Sequence, residues 1–506
     1  MKCFWLHAGE KGIERLTGLL TFPNGSKLPA DAEADVVIRY GRLAPEPASP
    51  VLLGRLAPIL RILRGKGQGD LLRECGLKPA FFFGTRRSQA DSSVLPPSVV
   101  WEYRIPVFQQ EALTVYGRKA GAAGEAMLVK QGDQRFRELP DEERQHRARR
   151  AMKDAVRAVY ALGLDYALVT VLSTAESETW IAEVDAMPDW RGEWTIRFAE
   201  AFNRFAAEEW PEKPSLLLGA DPEFLLVSES GKVVPASRYL DRQGKVGCDA
   251  VILSGHRVIL PLAELRPAPS LDVAGLVRSL RRTMRAAAQR IPSAELAWLA
   301  GGMPVKGLPL GGHIHFSGVP LTSPLLRALD NYGALPLLLL EGEGSRGRRP
   351  RYGRLGDSRR KSHGGFEYRP LPSWLASPEL AAGVLALART IVLHWRELRQ
   401  DPLLHPGLRR RFYRGDADAL RETAARLWAE LEPLAAYREQ AKELAWLKRQ
   451  LFAEPAGRGL IDSGGDIRAA WGIGAADYTL PESLAAPLRG PLLKDAALHP
   501  LIPELV

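Results

Sequence analysis

The sequence predicts a multidomain protein in which an α/β half is followed by an α+β half. Three observations point there. At 506 residues the chain exceeds what one hydrophobic core usually organises, which favours two to four domains. Up to about residue 210, short apolar runs alternate with helical patterns, as in α/β layering. Beyond that point, strands of alternating apolar and charged residues cluster in one window and give way to long helical patterns.

Composition narrows the class. Hydrophobic residues make up 46% and charged residues 25% of the chain, the balance of a soluble globular protein. The net charge of +10, with an isoelectric point near 9.5, is concentrated between Arg346 and Lys361, where seven arginines and one lysine fall. Such a run reads as a solvated loop or as a phosphate or nucleic-acid contact. Cys3, Cys75 and Cys248 are too few and too scattered for a disulfide framework or a zinc knuckle, so a reducing, cytoplasmic location is expected. The first residues lack the apolar core of a signal peptide. Arg389 interrupts the apolar stretch from Ala381 to Trp395 before it could span a bilayer, and no membrane protein is expected.

In chain order, Asp35 to Gly41 reads as a strand ending in a glycine turn, and Pro45 to Pro50 as a loop. Leu60 to Gly76 carries apolar residues at helical spacing, with Gly76 placed as the stop. Trp101 to Tyr116 reads as a strand pair. Asp141 to Leu162 reads as a charged amphipathic helix with Ala151, Val156, Val159 and Leu162 on its apolar side, closed by Gly163. Two strands follow, Tyr166 to Leu172 and Trp180 to Asp185, and Trp210 to Ser215 reads as a linker. Leu271 to Arg290 is a basic amphipathic helix burying Leu276, Leu280 and Met284. Pro378 to Leu398 and Asp416 to Phe452 are helical in pattern, and the Pro- and Gly-rich tail from Ala453 carries no clear motif. There is no solenoid repeat.

The order of elements in the first half resembles the ATP-grasp superfamily. Leu60 to Pro79 is similar to the helix and strand entry that close a pre-grasp subdomain. Gly163 to Pro188 is similar to the paired strands that supply magnesium ligands, ending in Glu183-Val184-Asp185-Ala186-Met187-Pro188. Thr170 stands where that superfamily places an aspartate, and Asp185 where it places an asparagine. The short interval from Arg86 to Trp101 holds no lysine-plus-glycine-loop segment to embrace phosphates. The resemblance therefore implies a reduced or degenerate module, in which Glu183 and Asp185 share a strand face suited to one cation.

Four strand motifs carry the chemistry of the second half: Asp221-Pro222-Glu223-Phe224, Leu262-Ala263-Glu264-Leu265-Arg266, His313-Ile314-His315-Phe316 and Phe366-Glu367-Tyr368-Arg369. Alternate residues of a strand share a face, which pairs Asp221 with Glu223, Glu264 with Arg266, His313 with His315 and Glu367 with Arg369. Alone, each pair is the kind found as a surface ion pair or a satisfied histidine pair. Together they would gather four acids, whose mutual repulsion raises their pKa values unless cations intervene. Carboxylate oxygens with an imidazole suit magnesium or manganese, and zinc less well because no cysteine joins them.

These motifs, with Gly311-Gly312 ahead of His313, resemble the glutamine synthetase-like carboxylate-amine ligases, in particular the phage-type or type 2 amidoligases. The resemblance spans roughly residues 216–400. It implies an antiparallel or mixed catalytic sheet with helices, and the cofactors ATP and magnesium or manganese. It implies metal ligands Asp221, Glu223, Glu264, His313 and Glu367, with Arg354, Arg359 and Arg369 handling phosphate. Asp221 stands where glutamine synthetase has a glutamate. His315 would orient substrate or ligate metal, Arg266 would bind a substrate carboxylate or pair with Glu264, and no base for the amine can be named. The implied reaction joins small-molecule or peptide carboxylate and amine substrates in an amide or isopeptide bond through an acyl phosphate.

Two alternatives remain at this level: a metal-dependent amide hydrolase, and a non-catalytic protein whose basic run contacts a polyanion or partner. Neither nucleic acid nor a membrane is an expected partner, and a homo-oligomer stays open. His256 and His363 read as solvent-facing turn residues, with His363 close to the substrate region. Lys306 lies in a glycine-rich loop without P-loop spacing, and Cys248 has no paired base. The expected organisation is a pre-ATP-grasp-like subdomain (1–85), a reduced ATP-grasp-like subdomain (86–210), a linker (211–215), the amidoligase domain (216–400) and a helical extension with tail (401–506).

Overall fold

A computed structural model describes residues 1–28, 34–47, 51–65, 67–80, 99–120, 136–211, 214–252, 258–291, 295–362, 364–453, 457, 459–462 and 464–474. The expectations for His256, His363, the interval after Arg86, parts of the Pro45–Pro50 loop and of the linker, and the end of the tail fall outside these residues. Within them the chain is a mixed α/β and α+β protein built on three sheets.

The first sheet is wholly parallel, in the order β2-β1-β3-β4, from β1 (Cys3–Leu6), β2 (Asn24–Gly25), β3 (Val36–Arg39) and β4 (Val51–Leu53). Parallel strands covered on both faces need unbroken apolar runs, and Cys3-Phe4-Trp5-Leu6 is such a run with every side chain buried. Helix α1 (Ile13–Thr17) follows β1. The single helix predicted from Leu60 to Gly76 is two, α2 (Leu56–Arg64) and α3 (Gln68–Glu74). Gly65 and Gly67, with φ of 66° and 75°, take the left-handed conformation that ends one helix and starts the next.

The second sheet is antiparallel, in the order β10-β9-β5-β7-β8 with β6 on β5. Its strands are β5 (Val99–Phe108), β6 (Glu111–Ala112), β7 (Tyr116–Lys119), β8 (Arg137–Glu138), β9 (Tyr166–Thr174) and β10 (Thr179–Asp185). Helix α4 (His146–Ala161) lays Ala151, Ala155, Ala158 and Val159 on it, while Val156 stays half-buried. A 3-10 turn at Asp141–Glu143 stands where the helix was predicted to begin. Helix α5 (Trp194–Ala206) joins the first two sheets, sending Phe198 and Phe202 into a set of aromatic rings around the fully buried Trp5. The Trp5 and Phe202 ring centroids lie 4.9 Å apart and those of Trp5 and Trp190 5.9 Å apart, within the range of favourable aromatic pairing.

The third sheet is antiparallel, in the order β13-β14-β11-β16-β18-β17, with β12 and β15 also paired to β11. Its strands are β11 (Leu217–Ser228), β12 (Val233–Val234), β13 (Val246–Ile252), β14 (Val258–Leu265), β15 (Leu296–Leu299), β16 (Gly312–Ser317), β17 (Ser358–Arg360) and β18 (Phe366–Tyr368). Helix α6 (Val273–Arg290) is capped by Asp272, which accepts from the Gly275 amide at 2.6 Å, and buries Leu276, Leu280 and Met284. The helix Pro378–His394 packs against it. The predicted helical run from Asp416 to Phe452 divides into Ala417–Leu431, Ala435–Glu439 and Ala441–Phe452.

One hydrophobic core runs through all three sheets, from Trp5 to Trp471. Polar contacts reinforce the join between the halves. Arg327, on the helix Ser323–Ala328, pairs with the fully buried Asp165 next to β9, whose second oxygen accepts from the Gly54 amide at 2.7 Å. Asp401 lies 3.5 Å from Arg327 Nε. Asp330 sits in a π-helical turn (Leu329–Ala334) and accepts from Tyr160 of α4 at 2.6 Å and from Tyr368 of β18 at 2.7 Å. Cys3, Cys75 and Cys248 are free and buried. Among the described residues no helix is long and apolar enough to cross a membrane.

Candidate active site

Four adjacent strands of the third sheet carry the four charged motifs in register. Glu223 on β11 pairs with Glu264 on β14, Asp221 on β11 with His313 on β16, His315 with Glu367 on β18, and Glu367 with Arg359 on β17. Because Asp221 and Glu223 are two apart on one strand, both project from the same face. Gly219 stands opposite His315, and a Cβ there would lie 3.3 Å from the His315 Cβ, so the glycine leaves the imidazole room to lean across.

Two groups of possible cation donors result, with the atoms of each within 4.8 Å of one another: Asp221, His315 and Glu367, and Glu223, Asp249 and Glu264. His315 Nε2 lies 2.9 Å from Asp221 Oδ2 yet is buried without an aligned hydrogen bond. At that distance, with Glu367 beside them, the two atoms could serve one cation as common ligands. The donor set of carboxylate oxygens with one imidazole therefore fits magnesium or manganese. His313 belongs to neither group. Its Nδ1 lies 3.1 Å from Asp221 Oδ1 and 3.4 Å from Glu367 Oε1, placing the ring between the two carboxylates it orients.

The electrostatics divide the two groups. Burial raises the Glu223 carboxyl to about 7, and burial with the charge of Asp221 raises Glu264 to about 8. Burial also pushes Asp221 upward, but the imidazoles of His313 and His315 outweigh it and hold Asp221 below the ordinary carboxylate range. Glu367 is lowered as well: burial and Asp221 oppose ionisation, while Arg369, His313 and Lys361 favour it more strongly. Burial alone would depress His313, but its contact with Asp221 and the charges of Glu223 and Asp221 raise it.

The basic residues fall into three kinds. Arg369 contacts Glu367 directly, Arg359 Nη1 lies 3.6 Å from Glu367 Oε2, and Arg354 is held by Asp357 at 2.8 Å. All three line a cavity of about 850 Å³ that adjoins the sheet edge, whereas the six residues of the two donor groups do not. Arg266 contacts Glu264 and donates to the Gly244 carbonyl at 3.1 Å. Arg348 and Arg349, expected in a mostly solvated run, are buried instead: Arg348 donates to the Pro370 and Leu371 carbonyls, and Arg349 forms a two-bond pair with Glu341 at 2.9 and 2.7 Å. They fix the chain path leading to β17.

Two residues escaped the sequence reading. Asp249 is a single acid in an otherwise apolar strand, and only the pairing of β13 with β14 brings it to Glu223 and Glu264. Lys361, 2.5 Å from Glu367 Oε2, was one cation among many in its run. In the second sheet, Glu183 is exposed and Asp185 accepts from the Met187 amide at 2.9 Å. Among the described residues neither enters a group of three donors.

A family model described as phage phiEco32-like COOH.NH2 ligase-type 2 matches residues 218–473, just over half of the 506 residues. No curated protein matches the sequence. Among solved structures the chain is similar to the ATP-grasp ligase PsnB complexed with minimal precursor, at 12% identity over 40% of this chain and 98% of that one, with a TM-score of 0.28. It is similar to the macrocyclase MdnC bound with precursor peptide MdnA from Microcystis aeruginosa at 11% identity over 41% and 100%, with a TM-score of 0.27. It is also similar to the glutamate–cysteine ligase from Francisella tularensis in complex with AMP at 12% identity over 54% and 91%, with a TM-score of 0.36.

Proposed function

The chain belongs to the phage phiEco32-like family of type 2 carboxylate–amine ligases, and from that premise we propose that it forms an amide by ATP-dependent activation of a carboxylate as an acyl phosphate. The observation that supports this most is the pair of donor groups, Asp221, His315 and Glu367 beside Glu223, Asp249 and Glu264, set two residues apart along β11. That separation is about 6.6 Å along a strand, close enough for both to attend one triphosphate.

Magnesium or manganese held by these donors would neutralise phosphate oxygens and act as a Lewis acid on the transferring group. His313 orients Asp221 and Glu367. Arg359 and Arg369 offer guanidinium donors to the γ-phosphoryl from the strand edge, with Lys361 and Arg354 behind them. A carboxylate oxygen attacks the γ-phosphorus, the bond to the bridging oxygen breaks, and ADP leaves. The amine nitrogen then adds to the acyl carbon, the carbon–oxygen bond to phosphate breaks, and loss of a proton from nitrogen leaves the amide. Arg266 is engaged with Glu264 and Gly244 and is proposed to hold Glu264 rather than to bind substrate.

For the N-terminal half we favour a role in presenting substrate, since Arg150, Lys153 and Arg157 of α4 line the same cavity as Arg359 and Arg369. The test of the ligase is ADP and phosphate release that requires both magnesium and a carboxylate–amine pair. Glu223→Gln and Glu367→Gln should each lower it at least about a hundredfold. Undiminished turnover in both, or amide cleavage without nucleotide, would overturn the proposal in favour of a hydrolase.

A further inference from the structure

The cavity of about 850 Å³ is lined by ten arginine or lysine side chains and only four aspartates. Its walls come from both halves of the chain. Helix α4 contributes Arg150, Lys153, Asp154, Arg157 and Tyr160, at the spacing of one helical face, while its alanine face is buried. The facing wall is the segment from Pro350 to Arg360 together with Arg369.

These cations are only partly neutralised. Arg157 is held by Asp154 at 2.7 Å and by the Cys75 carbonyl at 2.8 Å, but its Nε is buried without a partner, as is Nη1 of Arg409 on the same cavity. Arg150 and Lys153 are exposed at the rim and make no hydrogen bond or ion pair among the described residues. Like charges gathered in a cleft repel one another and concentrate anions from solution. The charged wall also ends at the reaction centre, because Arg359 and Arg369 face the cavity and Glu367 at once.

MgATP accounts for only part of this charge. Its triphosphate is matched to the donor groups on the sheet, and its adenine and ribose carry no charge that would call for the cations of α4. We propose that the cavity binds the carboxylate substrate, and that this substrate is an oligoanion with several acidic groups besides the one activated, gripped by α4 from one side and the Pro350–Arg360 segment from the other. The proposal rests on the ligase reading, since it takes the cavity to open onto the site of carboxyl activation.

Hexa-L-glutamate is the probe, titrated by calorimetry into the full-length protein. The wild-type chain should bind it, with affinity falling as salt rises from about 50 to about 200 mM. The double charge reversal Arg150→Glu with Lys153→Glu, at two exposed positions, should weaken that binding by roughly tenfold or more. MgATP binding should change less than about twofold, and a thermal midpoint within a few degrees of the wild type reports that the variant is folded. No binding of hexa-L-glutamate to the wild type, or binding indifferent to the reversal, would overturn the proposal. A parallel loss of MgATP affinity would overturn it too, by assigning the cavity to the nucleotide. Glu223→Gln separates the two readings: undiminished ADP and phosphate release in it counts against the ligase reading, whatever hexa-L-glutamate binding does.

Discussion

Glu223 and Glu264 face each other across the β11–β14 pair, and with Asp249 their donor atoms lie within 4.8 Å of one another. Two unit charges at that spacing repel by roughly 3 kcal/mol at an effective dielectric near 20. Burial and this crowding hold the two glutamates up to about 7 and about 8.

A cation takes the ionised forms, so below those values it must displace protons. Magnesium affinity should therefore rise with pH through about 7 to 8. Calorimetry near pH 6.5 in buffers of different ionisation enthalpy should show proton release that fades by about pH 9. The metal-free protein should behave in the opposite sense. Folded pKa values raised above the unfolded ones give stability that is complete below about pH 4.5 and is lost as pH rises to about 7 for Glu223 and about 8 for Glu264, and magnesium should restore it above that range. Affinity flat across that range would contradict the assignment of Glu223 and Glu264 as donors.

Gly311 tests the geometry from the backbone side. Its amide donates to Glu223 Oε2 at 2.6 Å, and a Cβ there would meet His313 Nε2 at 2.3 Å. Gly311→Ala must displace either the ring or the strand. It should weaken magnesium binding by about tenfold or more, with the thermal midpoint shifted by only a few degrees. Magnesium titration and thermal melting on the same sample separate the two effects.

The Asp165–Arg327 pair is a test of the join. Asp165→Asn leaves a buried guanidinium with only Asp401, 3.5 Å away, as its counter-charge. Removing one partner of a buried pair costs about 3–5 kcal/mol, and the surviving aspartate argues for the lower end, about 3 kcal/mol. Denaturant unfolding should report that loss.

Asp330 gives a second pH signature, distinct from the metal. Burial raises its carboxyl to about 7, against the hydrogen bonds from Tyr160 and Tyr368. The protonated acid is favoured in the folded chain, so its contribution to stability is complete below about pH 4 and is lost as pH rises towards 7. Asp330→Asn should flatten thermal stability across that window. An unchanged pH profile in the variant would show that Asp330 does not titrate there.

The fold class and the strand character of the four charged motifs were legible because alternation along a strand is a local property. Contacts set by neighbours were not. Asp249 looks like any acid at the start of an apolar run, and its meaning comes from the strand beside it. Arg348 and Arg349 resemble their solvated neighbours until Glu341 and the carbonyls of Pro370 and Leu371 are brought to them. His313 and His315 are equivalent in sequence, and only the opposing residues, Asp221 for one and Glu367 for the other, separate their positions. The break between α2 and α3 falls at Gly65 and Gly67, and glycines in a helical pattern do not announce that both will take positive φ.

The shared core also bears on how the chain can be divided. A polypeptide cut between Pro211 and Pro214 would still be held by the Trp5-to-Trp471 core, the Asp165–Arg327 pair and the two tyrosines on Asp330. The nicked protein should migrate as a single particle under native conditions, and two separately produced fragments should find each other rather than act alone. A truncation at that point would strip apolar surface from both pieces, and the first 210 residues would lose the partner against which they fold.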